Sequence, residues 1–248
     1  MPNSRRLHPA VHDLKRGMEK GKITRREFLR YATLLGMSAA AAAQVVGFGW
    51  PRRAFGAGLQ RGGTLRVAGP VQKVTHPAQF SWIAPSQQLR QVAEYLTYTD
   101  GENITHPYLL KNWEASADLK TWTLNLRKGI RFNNGDEFTA DDVTFTFNQW
   151  LDKDVGSSML SFVGGYLKPT GIEKVDKYRV KLHLERPEIA VPEHLFHYPA
   201  LVLNHRTFEG DFIKRPHGTG PYTLEVYREG ERSVLKRRND YWQKGTDG

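Results

Sequence analysis

A charge-free run at residues 31–50 separates this chain into two parts of very different composition. The first 57 residues contain eleven Lys and Arg against three acidic residues, a net charge of +8. The other 191 residues are close to neutral at +2, although the whole 248-residue chain has a formal net charge of +10. The basic character therefore belongs to the N-terminal part and gives no reason to expect that the body binds nucleic acid.

Residues 1–57 have the order of features that is typical of an export signal. A basic segment precedes the charge-free, Ala-rich run, and small residues follow at 54–57. We expect cleavage between Gly56 and Gly58. An uncleaved membrane anchor is the alternative, because the run is about as long as the roughly 20 residues that cross a bilayer, but Gly, Ser and Gln dilute it.

The junction between the basic segment and the apolar run resembles a twin-arginine signal. Residues 24–30 read Thr-Arg-Arg-Glu-Phe-Leu-Arg, in which Arg25 and Arg26 are followed by Phe28 and Leu29. Such a signal is an address read by a receptor. The resemblance implies export of the folded protein to the periplasm, with the twin-arginine translocase as a transient partner.

Residues 58–248 predict an α/β body that has many antiparallel strand pairs and no regular βαβ repeat. Alternation of apolar residues predicts strands, and apolar residues at spacings of three and four predict helices. We expect Thr139 to cap one helix, with Asp142 at the capping-box spacing, and five tryptophans to lie mainly in the core (Trp82, Trp113, Trp122, Trp150 and Trp242). Strands are expected at 64–68, 121–126, 172–175, 178–184, 223–228 and 233–238, and helices at 87–98, from 139 and at 192–197.

The sequence offers few candidates for chemistry. The absence of cysteine excludes disulfides, Cys-ligated zinc and a thiol nucleophile. His194 and His197 have a spacing that could share a metal on one helix face, but no third ligand is evident. Asp141 and Asp142 are better explained as helix-start residues than as an acid/base pair. We therefore predict neither an enzyme nor a cofactor; an exported metal- or cofactor-dependent enzyme is the alternative.

Several ordered motifs resemble the family 5 extracellular solute-binding proteins, the oligopeptide, dipeptide and nickel-binding receptors of ABC importers. The most specific stretch is Asn112 to Val143, which includes Lys120-Thr121-Trp122-Thr123-Leu124 and Asn134-Gly135-Asp136. Gly-Thr-Gly-Pro-Tyr at 218–222 and Arg-Asn-Asp-Tyr-Trp at 238–242 follow in the family's order. Together the motifs cover nearly all of residues 61–248.

The resemblance implies a periplasmic-binding-protein-like (type II) architecture in which a solute binds between two lobes. The expected partners are a small solute such as a peptide and an ABC permease with its ATPase, and no nucleic acid. By this resemblance the ligand side of the first lobe would be formed by the loops at 70–75 and 156–162. The residues expected to contact ligand are Val71, Gln72, Thr75, Ser157, Ser158 and Met159.

The length departs from the family, whose members are roughly twice as long. Residues 58–248 would correspond to the first lobe alone, with the second lobe absent. Such a chain could be a fragment of a longer protein or a truncated product that does not bind. A mature body of 191 residues can still bury most of a core.

Overall fold

The chain divides into two units, residues 1–66 and 67–248. A computed structural model describes residues 10–35, 42, 45 and 62–244. Most of the charge-free run and the expected cleavage site lie outside these described residues. Within them, no helix has the length and apolar character needed to span a membrane.

The first unit contains two helices, α1 (Ala10–Glu19) and α2 (Arg25–Leu34). Thr24 is the N-cap of α2: its hydroxyl accepts a hydrogen bond from the N–H of Glu27, and the Glu27 carboxylate accepts one from the N–H of Thr24. This reciprocal pair satisfies donors that the first turn of a helix leaves free. The unit has its own apolar cluster, which consists of Val11, Phe28, Ala32 and Ala42.

The second unit is built of short helices and antiparallel strands. Its helices are α3 (Ile83–Leu89), α4 (Ala140–Leu151), α5 (Leu160–Val163) and α6 (Val191–His194), and a 3₁₀ turn lies at Pro77–Gln79. Its strands are β1 (Thr97–Thr99), β2 (Thr105–Pro107), β3 (Leu110–Ala115), β4 (Thr121–Leu126), β5 (Leu167–Asp176), β6 (Arg179–Leu184), β7 (Tyr222–Arg228) and β8 (Arg232–Arg237).

A four-stranded sheet in the order β3-β4-β6-β5 forms the centre of this unit, and every neighbouring pair is antiparallel. On β4 the buried residues alternate with half-buried ones, so Trp122, Leu124 and Leu126 face the core. Helix α4 packs against β5 through a face that buries Val143 and Phe147. Strands β1–β2 and β7–β8 form two separate hairpins. The α/β architecture predicted from the sequence is confirmed.

Two predicted elements are wrong. Residues 64–68 form no strand: Leu65 and Val67 are 88% and 82% exposed, and in the described chain no strand pairs with this segment. The predicted helix at 87–98 ends at Leu89. The apolar residues beyond it are buried as expected. Their backbone carbonyls, however, accept hydrogen bonds from other segments instead of from a helix: the N–H of Gly220 donates to the Val92 carbonyl, and the N–H of Tyr108 donates to the Leu96 carbonyl.

One of the five tryptophans departs from the expected core position. Trp122 and Trp150 are buried, and Trp113 and Trp242 pack against the core. Trp82, in contrast, is 69% exposed. It is the N-cap residue of α3 and makes no side-chain capping hydrogen bond. The short helix predicted at 192–197 is present as α6, three residues shorter at its C-terminal end.

The turn at 218–222 joins the β7–β8 hairpin to the segment before β1. A Cβ added at Gly218 would lie 2.0 Å from the Val92 carbonyl oxygen, so the two backbones can approach this closely only at glycine. The N–H groups of Gly220 and Tyr222 bond to the carbonyls of Val92 and Gln91. The hairpin is thereby fixed to the body at its base.

Two buried polar side chains support this junction. The guanidinium of Arg238, 6% exposed, donates hydrogen bonds to the carbonyls of Gly218, Gly220, Arg131 and Phe132 and pairs with Asp240. The carboxyl of Glu94, 2% exposed, accepts hydrogen bonds from the hydroxyls of Tyr108 and Tyr241 and from the indole N–H of Trp242. Both motifs at 218–222 and 238–242 therefore serve the packing of the fold.

Candidate functional site

A cleft of about 500 Å³ lies in the second unit, between the chain before the 3₁₀ turn and the start of α3. This volume is in the range of small-molecule sites, roughly 300–1,000 Å³. Its walls are mostly apolar and uncharged polar. The residues that line it are Gln72, Lys73, Val74, Thr75, His76, Gln79, Phe80, Ser81, Trp82 and Pro85.

The segment that forms one wall is held in place by hydrogen bonds that its backbone carbonyls accept from the β7–β8 hairpin. The hydroxyl of Tyr227 donates to the Gln72 carbonyl at 2.6 Å, and the N–H of Gly230 donates to the Val71 carbonyl at 2.8 Å. On the other side, the side-chain amide of Gln88 donates to the Pro70 carbonyl at 2.7 Å. A loop without secondary structure is thus given a defined path, as binding loops on rigid scaffolds require.

The loop at 156–162 and the residue before it form hydrogen bonds with the 3₁₀ turn at 77–79, next to the cleft. The N–H of Ser158 and the hydroxyl of Ser157 both donate to the Ala78 carbonyl, at 2.8 and 3.3 Å. The amide of Gln79 donates to the Val155 carbonyl at 2.7 Å. The two loops singled out in the sequence therefore meet at the 3₁₀ turn between them.

The six residues expected to contact ligand take different positions in this arrangement. Gln72 and Thr75 line the cleft, whereas Val71 supplies a backbone carbonyl to the hairpin. Ser157 and Met159 are buried behind the 3₁₀ turn, and Ser158 is half-buried there. Their roles as ligand contacts stay a prediction.

Most of the cleft lies just after the loop that sequence reasoning selected. Lys73, His76 and Trp82 line it, yet none was named as a contact. The sequence predicts a core position for Trp82, because tryptophans lie on the core faces of strands and helices more often than they form ligand platforms. The signal that could have found the site is the run of polar and aromatic residues at 72–82 between two segments that carry predicted elements.

His76 is a neutral part of the cleft wall. Its Nδ1 accepts a hydrogen bond from the N–H of Ala78 at 3.1 Å, so its Nε2 carries the proton that bonds to Gln149 Oε1 at 3.0 Å. Burial lowers the pKa of the imidazole below its ordinary value, and the hydrogen bond to Gln149 opposes this only in part. His76 fixes the loop and adds no charge to the site.

The residues of the twin-arginine-like motif lie on α2 in the first unit. Arg25 and Arg26 are exposed in the first turn of the helix, and Leu29 is half-buried. Phe28 is fully buried in the apolar cluster of this unit. The helix therefore displays the two guanidinium groups and covers the aromatic ring.

The histidines and the acidic pair noted in the sequence form no metal-binding group in the part of the chain that the structure describes. Within it, no group of three or more His, Cys, Asp or Glu residues is placed to hold a metal ion. His194 Nδ1 is bonded to the Tyr166 hydroxyl at 3.0 Å, and the ring of His197 lies 4.0 Å from that of Phe162. The acidic pair at the start of α4 is divided: Asp141 pairs with Lys174 on the surface, and Asp142 is buried against Thr139 and His205.

Comparison with known proteins places these features in a family. The model of bacterial extracellular solute-binding proteins, family 5 (middle), matches residues 105–247. Di/tripeptide-binding protein 1 of Pseudomonas aeruginosa is 32% identical in an alignment of 160 positions that covers 55% of this chain and 30% of that protein. The nickel-binding periplasmic protein of Escherichia coli is 30% identical over 164 residues, 64% of this chain and 31% of that protein.

Solved structures show the same relationship. The periplasmic binding protein DppA of Helicobacter pylori in complex with the peptide STSA matches with a TM-score of 0.63 and 25% identity, over 71% of this chain and 39% of that one. OppA of Haemophilus influenzae in complex with RPPGFSPFR matches with a TM-score of 0.62 and 27% identity, over 70% and 38%. These matches confirm the periplasmic-binding-protein architecture.

The chain spans about a third of the length of these relatives. The family model nevertheless covers more than half of the chain, through the central sheet, α4 and the β7–β8 hairpin. The chain belongs to the bacterial extracellular solute-binding proteins, family 5.

Proposed function

We propose that the protein is the substrate-binding component of an ABC importer and captures peptides or similar small polar solutes in the periplasm. The main support for this proposal is the cleft at 72–85. Its lining includes the exposed Trp82 and the polar side chains of a loop that a hydrogen bond joins to the β7–β8 hairpin. A flat aromatic side chain can cover the apolar part of a solute. The similarity to a di/tripeptide-binding protein and to a nickel-binding periplasmic protein supports this solute class.

Residues 58–248 would then be the first lobe, and a second lobe would close over the solute from the other side. Delivery would be to a membrane permease and its ATPase. On this proposal the protein performs no chemistry, so the solute leaves unchanged.

Isothermal titration of the 248-residue chain with di- and tripeptides and with a nickel–histidine complex tests the binding role. We expect heat of binding with at least one of them and loss of that heat in Trp82→Ala. Ile189→Ala is the matched control, because Ile189 is also an exposed apolar side chain, at 73%, and does not line the cleft. No heat with any of these solutes would count against the proposal.

We also propose that residues 1–57 direct export through the twin-arginine route. The support is the sequence motif and the exposure of Arg25 and Arg26 in the first turn of α2. Fusing residues 1–57 to a folded reporter should place the reporter in the periplasm of a bacterium with the translocase and leave it inside one without it. Replacing Arg25 and Arg26 together by Lys should block export, whereas the same change at Arg5 and Arg6 should not.

A further inference from the structure

The cleft has an uneven charge that can select its solute. Among the residues that line it, Lys73 is the only charged one, and none is acidic. His76 makes two hydrogen bonds as a neutral imidazole and adds no charge. The wall therefore presents one ammonium group to whatever enters.

Among the residues that the structure describes, the ammonium of Lys73 forms no ion pair with the acids of the hairpin turn that bonds to its segment. The turn of the β7–β8 hairpin, which bonds to the neighbouring Val71, carries Glu229 and Glu231. Glu231 is paired with Arg228 and Arg232, and neither acid forms an ion pair with Lys73 among the described contacts. Lys73 itself is exposed.

The second feature is the exposed apolar surface at Trp82, which lines the cleft, and at its chain neighbour Ile83. Trp82 is 69% exposed and Ile83, next to it, is 60% exposed. Large apolar side chains grouped on a surface and rimmed by polar residues are typical of ligand-binding sites. A cleft whose lining includes both a cation and an indole is complementary to a molecule that carries an anion and an apolar group.

We infer that this cleft takes a solute with a free carboxylate, which Lys73 binds, and an apolar side group, which packs on Trp82. The inference rests on the proposed binding function and specifies its substrate class. A lysine ammonium suits a carboxylate as a point charge with three donors. A peptide that ends in an aromatic residue has both groups next to each other.

The test compares the dipeptide Ala-Phe with its C-terminal amide, which differs in the carboxylate alone. Each is titrated into the ¹⁵N-labelled 248-residue chain to millimolar concentration, and the indole N–H signal of Trp82 is followed, assigned as the signal missing in Trp82→Phe. We expect the free acid to bind about three- to fivefold more tightly than the amide, the size of an exposed ion pair. In Lys73→Met this preference should vanish.

Lys111→Met is the matched control. Lys111 is exposed on β3, forms no ion pair among the described residues, and does not line the cleft. The variant removes the same charge from the protein as a whole, so it should keep the preference for the free acid.

The outcomes separate the two proposals. Equal binding of acid and amide, or the same loss of preference in Lys111→Met, overturns the carboxylate assignment and leaves the binding function intact. If neither peptide shifts the Trp82 signal while another solute does, the assignment is likewise overturned. Absence of any shift with either peptide and with the solutes of the calorimetric screen contradicts both.

Discussion

Gly218 owes its identity to the close approach of two chain segments. A side chain there would meet the Val92 carbonyl oxygen at 2.0 Å, a backbone atom that cannot turn away. We expect Gly218→Ala to lower the free energy of unfolding by about 3 kcal/mol, the upper end of overpacking effects. Urea denaturation followed by tryptophan fluorescence measures this.

Gly101 supplies the control for that substitution. It lies in the β1–β2 turn, has open space where a Cβ would stand and needs no left-handed backbone. Gly101→Ala should change the free energy of unfolding by less than about 0.5 kcal/mol. Equal effects at the two positions would show that the junction at 218 is not as close as described.

Glu94 gives the body a pH-dependent stability. Burial raises the pKa of its carboxyl above the ordinary value, and the hydrogen bonds from Tyr241, Trp242 and Tyr108 oppose this only in part. A raised pKa in the folded state means that folding favours the protonated form. The resulting stabilisation is present below the unfolded pKa and is lost as the pH rises through the folded pKa.

Glu94→Gln tests this, because an amide has no proton to lose. As the pH is raised from 4 to 8, the free energy of unfolding of the wild type should fall relative to that of Glu94→Gln. Denaturant titrations at each pH measure this difference. The other titrating groups are the same in both proteins, so their contributions to the pH dependence cancel. Parallel curves for the two proteins would contradict the expected pKa shift.

At the scale of elements, the start of α4 separates two adjacent acids that the sequence presents as a pair. The buried Asp142 accepts hydrogen bonds from the N–H of Thr139 at 2.8 Å and from the His205 backbone and ring at 3.1 and 2.7 Å. Asp142→Ala would leave those donors without a partner. We expect a loss of about 2–4 kcal/mol in the free energy of unfolding.

Asp141→Ala is the matched change one residue away. Asp141 is partly exposed and pairs with Lys174 at 2.6 Å on the surface. Such pairs contribute little, so the loss should stay below about 1 kcal/mol. A thermal melt of the two variants side by side decides the question, and a larger loss for Asp141→Ala would contradict this account of the helix start.

The elements that sequence reasoning predicted well are those whose pattern and partner are close in the chain. Strand β4 alternates cleanly, α4 carries its own cap, and β7 and β8 flank a short turn at Gly230. The failures at 64–68 and 87–98 have the opposite character. In both, the outcome depends on which distant segment takes the backbone hydrogen bonds, and periodicity contains no information about that.

The candidate site was predicted only in part for a related reason. Of the six residues expected to contact ligand, Gln72 and Thr75 line the cleft, and their contact with a ligand stays a prediction. The exposure of Trp82 could not be predicted, because an aromatic residue next to an amphipathic segment has the same sequence pattern whether it packs inward or outward. Its exposure follows from where α3 begins, and element boundaries are the least predictable feature of a sequence.

The net charge and the apolar clusters both divide the chain into an N-terminal part and a body. The +8 of residues 1–57 lies in the part that contains the twin-arginine-like motif, and the family match lies in the nearly neutral remainder. The apolar cluster around Phe28 and the large cluster of the second unit share no residue. The two parts can therefore be tested separately.

A chain that begins at residue 58 should unfold at the same urea midpoint as the 248-residue chain. Every residue of the large cluster is retained in it, and the free energy of unfolding of the body depends on that cluster. Its net charge should fall from +10 to +2, so it should elute much earlier from a cation exchanger. Phe28→Asp in the full chain is the control, because it disrupts the first cluster alone and should also leave the midpoint unchanged. A lower midpoint in either protein would show that the N-terminal part contributes to the stability of the body.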